Sequence, residues 1–187
     1  MNKSRLPVGR AKPGAVQTTV RLDATDLKIL TYMVQDARMS QRALAKAVGM
    51  SPPSVADRIA RLEERGVITG YAVRLDYSML QRPITAIIGV KYFNTTSIVE
   101  RASALVKMPE VERVSIVTGS TDLEVRVLVR DLHHLNEVLL ALPKSSDDIR
   151  HTDTLVALET FEPDNFGERL IQELSRTLEL AAENPDE

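Results

Sequence analysis

The sequence predicts an α+β protein with an N-terminal winged helix-turn-helix domain and a C-terminal ferredoxin-like βαββαβ domain. Apolar residues repeat with helical spacing over residues 21–66 and alternate with strand spacing over residues 84–156. Charge divides the chain as well, because residues 1–74 hold 13 basic and 6 acidic side chains, a net charge of +7. Residues 75–187 hold 11 basic and 20 acidic side chains, a net charge of −9. A positive half favours contact with phosphates, and an acidic half favours solubility.

Composition excludes several classes of function. The chain of 187 residues contains no Cys, so it has no disulfide, no zinc–thiolate site and no thiol nucleophile. Aromatic residues make up only 4% of the chain, which disfavours stacking platforms for single-stranded nucleic acid. The sequence has no run of eighteen apolar residues and no secretory signal, so we expect a cytoplasmic protein.

The first domain begins after a stretch without apolar periodicity. Residues 1–20 combine Pro, Gly and basic residues and predict a disordered tail, which either contacts DNA weakly or has no role. Asp23 is the predicted N-cap of the first helix, which has Ile29 at the edge of its apolar stripe. That stripe comprises Leu27, Leu30, Met33 and Val34.

A pattern of serines, glycine and proline predicts two further helices joined by a very tight turn. Ser40 caps the first of them, and Gly49 ends it in the left-handed conformation. Ser51 caps the second, and Pro52 occupies a first-turn position where its missing N–H costs nothing. This is the spacing of a helix-turn-helix.

The second helix of this motif has a polar face rich in serine and arginine, which are residue types that bind phosphates and base edges. The alternative is a solvated helix whose charges pair with one another, but the tight turn favours the first interpretation. The candidate DNA-binding residues are Arg42, Ser51, Pro52, Ser54, Asp57, Arg58 and Arg61. Residues 67–75 then predict short strands or a wing that closes the domain of residues 21–75, and residues 76–82 predict a linker.

The remaining chain predicts one sheet with two helices, over residues 83–162. Strands are expected over residues 84–93, 111–119, 122–131 and 150–161, with helices after the first and third. The order βαββαβ gives an antiparallel sheet with both helices on one face. Apolar residues on both faces of the first and last strands predict that a second copy covers the open face. Residues 163–187 predict a C-terminal helix and tail with an apolar seam of Phe166, Leu170, Leu174, Leu178 and Leu180.

The helix-turn-helix followed by a βαββαβ module with a "VTGSTD" turn resembles the Lrp/AsnC (feast/famine) transcriptional regulators over residues 21–162. The resemblance implies a sequence-specific DNA-binding regulator with a RAM/ACT-like second domain that forms dimers, often octamers, and binds an amino acid or related metabolite. It implies DNA contact by Ser51, Ser54, Arg58 and Arg61, and coupling of the domains through the linker.

The resemblance also implies an effector site beside the turn after the second strand. The family commonly has glycine, acidic, aromatic and aspartate residues there, and only Gly119 and Asp122 match. Gly119 leaves backbone N–H groups open to a carboxylate, and Asp122 is a candidate partner for an α-ammonium group. The alternative is an ordinary hairpin turn. The candidate effector-binding residues are Thr118, Gly119, Ser120, Thr121, Asp122, Thr152 and Thr154.

Little else in the sequence suggests chemistry. His133 and His134 are adjacent and point to different sides of a helix, and His151 lies far along the chain, so no metal site and no cofactor are expected. Two rivals to the regulator stay open. One is an enzyme similar to the siroheme decarboxylase subunits, which share this two-domain plan, and the other is a sensing or assembly module without DNA binding. The retained arginine-bearing helix favours the regulator, and no enzymatic activity is expected.

Overall fold

The computed structural model describes residues 21–142 and 148–183, so the predicted tail of residues 1–20 lies outside the described residues. Two compact units divide the chain. The first contains the chain up to Val73 and again from Glu162 onward, and the second is Arg74–Phe161. The C-terminal segment therefore belongs to the same unit as the N-terminal helices.

The described elements follow the predicted order, including the predicted helix at the C-terminus. They are α1 (Ala24–Gln35), α2 (Gln41–Val48), α3 (Pro52–Glu64), β1 (Ile84–Tyr92), α4 (Ile98–Leu105), β2 (Val111–Ile116), β3 (Leu123–Val129), α5 (Leu132–Ala141), β4 (Ile149–Val156) and α6 (Phe166–Glu183). Among the helices of these described ranges, none has the length and apolar character needed to cross a membrane.

The core of the first unit comes from one face of each of its first three helices. The buried side chains are Leu27, Ile29, Leu30, Leu44, Ala45, Val55 and Leu62. The predicted stripe of α1 was wrong at two positions, because Ile29 is fully buried whereas Val34 is half exposed. Val34 lies outside the three-helix core and against the start of α6, where a Cβ at Gly167 would be 3.2 Å from its side chain.

The short strands predicted for residues 67–75 do not form, and these residues have no regular structure. The backbone N–H groups of Val67 and Ile68 both donate to the carbonyl of Leu62, at 2.9 and 3.1 Å, and so complete the end of α3. The side chains of both residues pack against the helical core. Their apolar character therefore reflects helix capping and core packing, and strand pairing plays no part.

The second unit is the predicted ferredoxin-like sheet. Its strand order is β2-β3-β1-β4, and every neighbouring pair is antiparallel. Alternate residues of β1 and β3 are fully buried beneath α4 and α5, whose Leu105, Leu135 and Val138 complete the core. The predicted alternation along both strands is confirmed.

The other face of the sheet carries apolar residues that neither α4 nor α5 covers. Ile87 of β1 lies opposite Leu155 of β4, and Thr85 lies opposite Leu128 of β3, so these side chains share one face. Leu155 is 61% exposed. The predicted apolar character of both faces is confirmed, although Arg126 also lies on this face, opposite Ile87.

Candidate functional site

The turn between α2 and α3 has the predicted capping geometry. Ser40 Oγ accepts a hydrogen bond from the N–H of Ala43 at 3.2 Å, and Ser51 Oγ accepts one from the N–H of Ser54 at 3.3 Å. Gly49 ends α2 with a φ of 71°, in the left-handed region that glycine tolerates best. Pro52 begins α3 directly after the Ser51 cap. These local contacts fix the short turn and therefore the direction in which α3 leaves it.

The packing of α2 against the core explains why small residues occur there. Ala45 is buried beside Val55, which has no exposed surface. A larger side chain than Ala45 would overfill this crossing, and overpacking of a core typically costs about 1–3 kcal/mol. The buried stripe of α3 faces inward, so its polar face points to solvent.

The outward face of α3 is mostly exposed, as the sequence predicts. Ser54 is half buried, and its hydroxyl lies 2.8 Å from Ser51 Oγ. The remaining candidate DNA-binding residues, except Arg58, are exposed: Arg42, Ser51, Pro52, Asp57 and Arg61. Arg65, at the end of the same helix, is exposed as well. This face offers hydroxyl and guanidinium donors together with a helix N-terminus, which is a suitable combination for an anionic polymer.

Arg58 has a different environment from the other arginines of α3. Its Nη1 atom lies 2.6 Å from a carboxylate oxygen of Asp23 and 2.6 Å from one of Asp26, and the side chain is only 20% exposed. These two carboxylates raise the pKa of Arg58. Burial opposes ionisation of Asp23, but hydrogen bonds from Arg58 and the Asp26 N–H outweigh it and lower the pKa of Asp23. Arg58 therefore ties α3 to the start of α1 in this structure.

Only half of this ion-pair cluster could be identified from the sequence. Asp23 caps α1 as predicted, and Asp26 completes a reciprocal capping box with it. The i, i+3 spacing of the two aspartates was the available signal for that box. Their partner Arg58 is 32 residues beyond Asp26, and no local pattern identifies such a pair.

The cluster lies beside further positive charge. Arg21, Arg61 and Arg65 line the same shallow pocket as Arg58 and the two aspartates. Four guanidinium groups therefore surround two carboxylates, which leaves the pocket with an excess of positive charge. A second pair stabilises the chain after α3, because the Tyr71 hydroxyl donates to Glu63 at 2.8 Å. Burial and this hydrogen bond raise the pKa of Tyr71 to about 12.

The candidate effector loop connects β2 and β3. Thr118, Gly119 and Ser120 are exposed, and Gly119 has a φ of 120°, which disfavours any other residue. Thr121 is half buried against β1, where a Cβ at Gly89 would lie only 2.7 Å from its methyl group. Gly89 is therefore required for this close approach of the loop to the strand.

Asp122 is fully engaged within the chain. Its Oδ1 accepts from Lys91 Nζ at 2.7 Å, and its Oδ2 accepts from the N–H of Tyr92 at 2.9 Å. These two hydrogen bonds, that of Lys91 foremost, lower the pKa of Asp122. Asp122 thus holds the loop on β1.

The two threonines of the last strand lie on the far side of β1 from this loop. Thr152 and Thr154 of β4 are opposite Val90 and Ile88, so they share the helix-covered face of the sheet. Both are half buried. Within one chain, the structure therefore does not bring the threonines and the loop together at one surface.

The histidines have ordinary environments. His134 is buried, its Nδ1 accepts from the N–H of Arg130 at 3.3 Å, and its Nε2 lies 3.3 Å from Glu110 Oε1. His133 is exposed. Across residues 21–142 and 148–183, no group of three or more His, Cys, Asp or Glu side chains could hold a metal ion.

Comparison with known proteins identifies both units. Residues 22–69 match the family model of a winged helix-turn-helix DNA-binding domain, and residues 85–165 match that of the Lrp/AsnC ligand-binding domain. An HTH-type transcriptional regulator from Pyrococcus furiosus is 34% identical over 145 residues, which cover 78% of this chain and 97% of the relative. The chain belongs to the Lrp/AsnC family of transcriptional regulators.

Other members of the Lrp/AsnC family agree with this assignment. The leucine-responsive regulatory protein of Haemophilus influenzae is 32% identical over 151 residues, covering 78% of this chain and 89% of that protein. The structure of E. coli AsnC matches with a TM-score of 0.71 and 25% identity, covering 76% of this chain and 96% of that chain. A Neisseria meningitidis regulator in complex with L-Met matches with a TM-score of 0.69 and 26% identity, over 76% and 94% of the two chains.

Proposed function

We propose that this Lrp/AsnC regulator reads double-stranded DNA with the exposed face of α3, as a homo-oligomer whose DNA binding responds to an amino acid. The observation that carries the proposal is the exposed polar face of α3, with Ser51 at its start and Arg61 and Arg65 along it. This face follows the tight turn of a helix-turn-helix, the motif whose second helix enters the major groove.

The contacts with DNA would divide along α3. Its N-terminal turn, with Ser51 and Pro52, would approach the phosphates and base edges, because the helix dipole and free N–H groups favour anions there. Arg61 and Arg65, on exposed turns farther along, would add contacts to phosphates or to guanine. Arg42 of α2 would contact the backbone beside the groove.

Arg58 would serve this interface as a positioning residue. Its two ion pairs fix α3 against α1, so they set the angle at which the exposed face meets DNA. The excess of positive charge in the adjacent pocket would attract phosphate without freeing Arg58 from its aspartates.

An oligomer would supply two recognition helices. The uncovered sheet face with Ile87, Leu128 and Leu155 supports pairing with a second copy through that face. A two-fold dimer reads two half-sites that are about 34 Å apart, one turn of DNA. Assembly of four dimers into an octamer is the larger arrangement that we propose to test.

The effector would bind at the loop of residues 118–121, of which the first three are exposed. Backbone N–H groups around Gly119 and the hydroxyls of Thr118 and Ser120 would take the carboxylate of an amino acid. Asp122 would shape the loop through Lys91 and leave the α-ammonium group to another residue. Thr152 and Thr154 would join the site only from a neighbouring subunit. The L-Met complex of the Neisseria regulator supports an amino acid as the class of ligand.

The test measures fluorescence anisotropy with the protein's own upstream DNA and with scrambled DNA, at two salt concentrations, with and without pooled amino acids. We expect a preference for the upstream DNA, affinity that falls steeply with salt, and a shift with one amino acid. Equal affinity for both DNAs would overturn sequence-specific regulation. An absent response to every amino acid would overturn only the effector proposal. We propose no enzymatic reaction. Absorbance after addition of a tetrapyrrole would directly test the rival hypothesis of an enzyme similar to the siroheme decarboxylase subunits.

A further inference from the structure

One acidic side chain lies on the outward face of α3. Asp57 comes two residues after Val55, which has no exposed surface. Two residues turn an α-helix by about 200°, so the side chain of Asp57 points almost directly away from the helical core. Asp57 is exposed, as this position requires. Its carboxylate therefore lies near the centre of the face that would meet DNA.

The surrounding chain leaves this carboxylate available to a ligand. In the described part of the chain, no side-chain hydrogen bond or ion pair engages it. The residues that adjoin it on the surface of α3, three and four positions away, are Pro53, Ser54, Ala60 and Arg61. Only Arg61 of these four carries a positive charge, and it too is exposed. The outward face thus presents one free carboxylate beside one free guanidinium group.

Other carboxylates around α3 have partners. Asp23 and Asp26 share the guanidinium group of Arg58, and Glu63 accepts a hydrogen bond from the Tyr71 hydroxyl. An unpaired carboxylate on a helix that enters a groove of DNA is repelled by the phosphates. It therefore weakens binding to DNA of arbitrary sequence. Tight binding then requires a base edge that offers the carboxylate a hydrogen-bond donor.

We propose that Asp57 is a specificity-determining residue, which accepts a hydrogen bond from the N4 amino group of a cytosine in the major groove. Only cytosine and adenine present amino donors in that groove. The adenine N6 group lies beside the acceptor N7, which repels a carboxylate, whereas a C–H group lies beside cytosine N4. Cytosine is therefore the base that suits Asp57. This inference rests on the proposed function, because it requires α3 to lie in the major groove.

The position of Asp57 along α3 suits a base contact. It is the sixth residue of the helix, and the N-terminal part of a recognition helix is the part that reaches base edges. Arg61 follows one turn later, about 6 Å along the axis. Arg61 attracts DNA of any sequence, whereas Asp57 disfavours every sequence that lacks the cytosine. The two side chains together raise the ratio of specific to non-specific affinity.

Selection from randomised duplex DNA tests this role with full-length wild type, Asp57→Ala and Asp57→Asn. The wild type should enrich a motif with a cytosine at one position of each half-site. Asp57→Ala should lose the preference at that position and keep the rest of the motif. Asp57→Asn should prefer adenine there, because an amide bonds to both N6 and N7 of adenine.

Anisotropy on the selected DNA gives the magnitude. Replacement of the C·G pair by T·A puts the O4 acceptor of thymine where the N4 donor was, and it should weaken wild-type binding about tenfold. The same replacement should change the Kd of Asp57→Ala by less than about twofold, since the carboxylate is gone. The matched control is Glu64→Gln, which removes an exposed carboxylate at the last residue of α3, about 10 Å farther along the axis. It should retain the preference for cytosine.

The other results overturn the assignment. If both folded Asp57 variants, checked by circular dichroism, enrich the wild-type motif with its cytosine, Asp57 reads no base, although the regulator proposal stands. If they change the motif at many positions, Asp57 acts on the structure of α3 and does not contact one base. If Glu64→Gln loses the cytosine as well, the preference reflects overall charge. A wild type that enriches no motif overturns the proposed function and this inference with it.

Discussion

The two candidate sites differ in how much of their charge remains available to a ligand. In the DNA-binding unit, Arg58 is held by two aspartates, yet exposed arginines such as Arg61 remain on the same helix. In the candidate effector loop, Asp122 is held by Lys91 and by the N–H of Tyr92, and only hydroxyls and backbone groups remain exposed beside it. A charged residue in a recognised motif can therefore have a structural role. Whether the site still offers a charge to a ligand then depends on the neighbouring side chains.

The largest expected effect is on DNA binding through Arg61. The Arg61→Ala variant should lose about 1–3 kcal/mol of specific binding free energy, roughly 5- to 160-fold in Kd, because an exposed guanidinium is removed. Its melting temperature should stay close to that of the wild type, since surface substitutions usually cost less than about 0.5 kcal/mol. Anisotropy and thermal unfolding measure the two quantities. The exposed Arg113 of the sheet unit provides the matched control, Arg113→Ala, which should bind DNA normally.

Substitution of Arg58 should mainly lower stability, and it should weaken DNA binding less than Arg61→Ala does. Arg58→Ala leaves the carboxylates of Asp23 and Asp26 without their shared cation, and we expect a loss of about 1–2 kcal/mol in the free energy of unfolding. Urea denaturation followed by circular dichroism measures this loss. Unchanged stability would show that the ion pairs do not hold α3 on α1.

The aspartates should make both units sensitive to acid. The folded-state pKa values of Asp23 and Asp122 lie below their ordinary values, so the unfolded chain binds protons first as the pH falls. Their stabilisation is therefore complete above about pH 4, near the unfolded-state pKa, and is lost as the pH falls through the lower folded values. Thermal unfolding between pH 7 and 3 should show a shallower acid slope for Asp122→Asn than for the wild type. Identical slopes would argue against the pairing of Asp122 with Lys91.

The smallest effect is expected at Tyr71. Among the four tyrosines, Tyr71 should ionise near pH 12, well above the ordinary value, because burial and Glu63 disfavour the phenolate. Ultraviolet titration of the wild type and of Tyr71→Phe should differ by one late-titrating tyrosine. The variant should lose only about 0.5–1.5 kcal/mol of stability with this hydrogen bond. If both proteins titrate alike, the contact between Tyr71 and Glu63 is absent in solution.

Much of the fold could be predicted from local patterns. The caps at Asp23, Ser40 and Ser51 and the alternation along β1 and β3 depend on neighbouring residues, so sequence alone identified them. The absence of strands at residues 67–75 could not be predicted in this way. A short apolar run is compatible with a helix end, with core packing or with a strand. Which of these structures forms depends on the residues that it contacts in the folded protein.

The residue types of the candidate sites could be predicted from the sequence, but the ion pairs that these residues form could not. The residue types of the α3 face were visible, whereas the ties from Arg58 to Asp26 and from Asp122 to Lys91 span 32 and 31 residues. The approach of Val34 to Gly167 likewise joins residues that are more than 130 positions apart along the chain. Long-range partners of this kind leave no periodic signal in a single sequence.

The proposed division of roles is that exposed arginines of α3 contact DNA while Arg58 positions the helix. Its most direct test measures the melting temperature and the affinity for the upstream DNA on the same samples of wild type, Arg58→Ala and Arg61→Ala, at a temperature where all three are folded. We expect Arg61→Ala to lose affinity at an unchanged melting temperature, and Arg58→Ala to melt earlier and lose less affinity, as this division requires. Wild-type affinity for Arg61→Ala, or a larger loss for Arg58→Ala at an unchanged melting temperature, would contradict it.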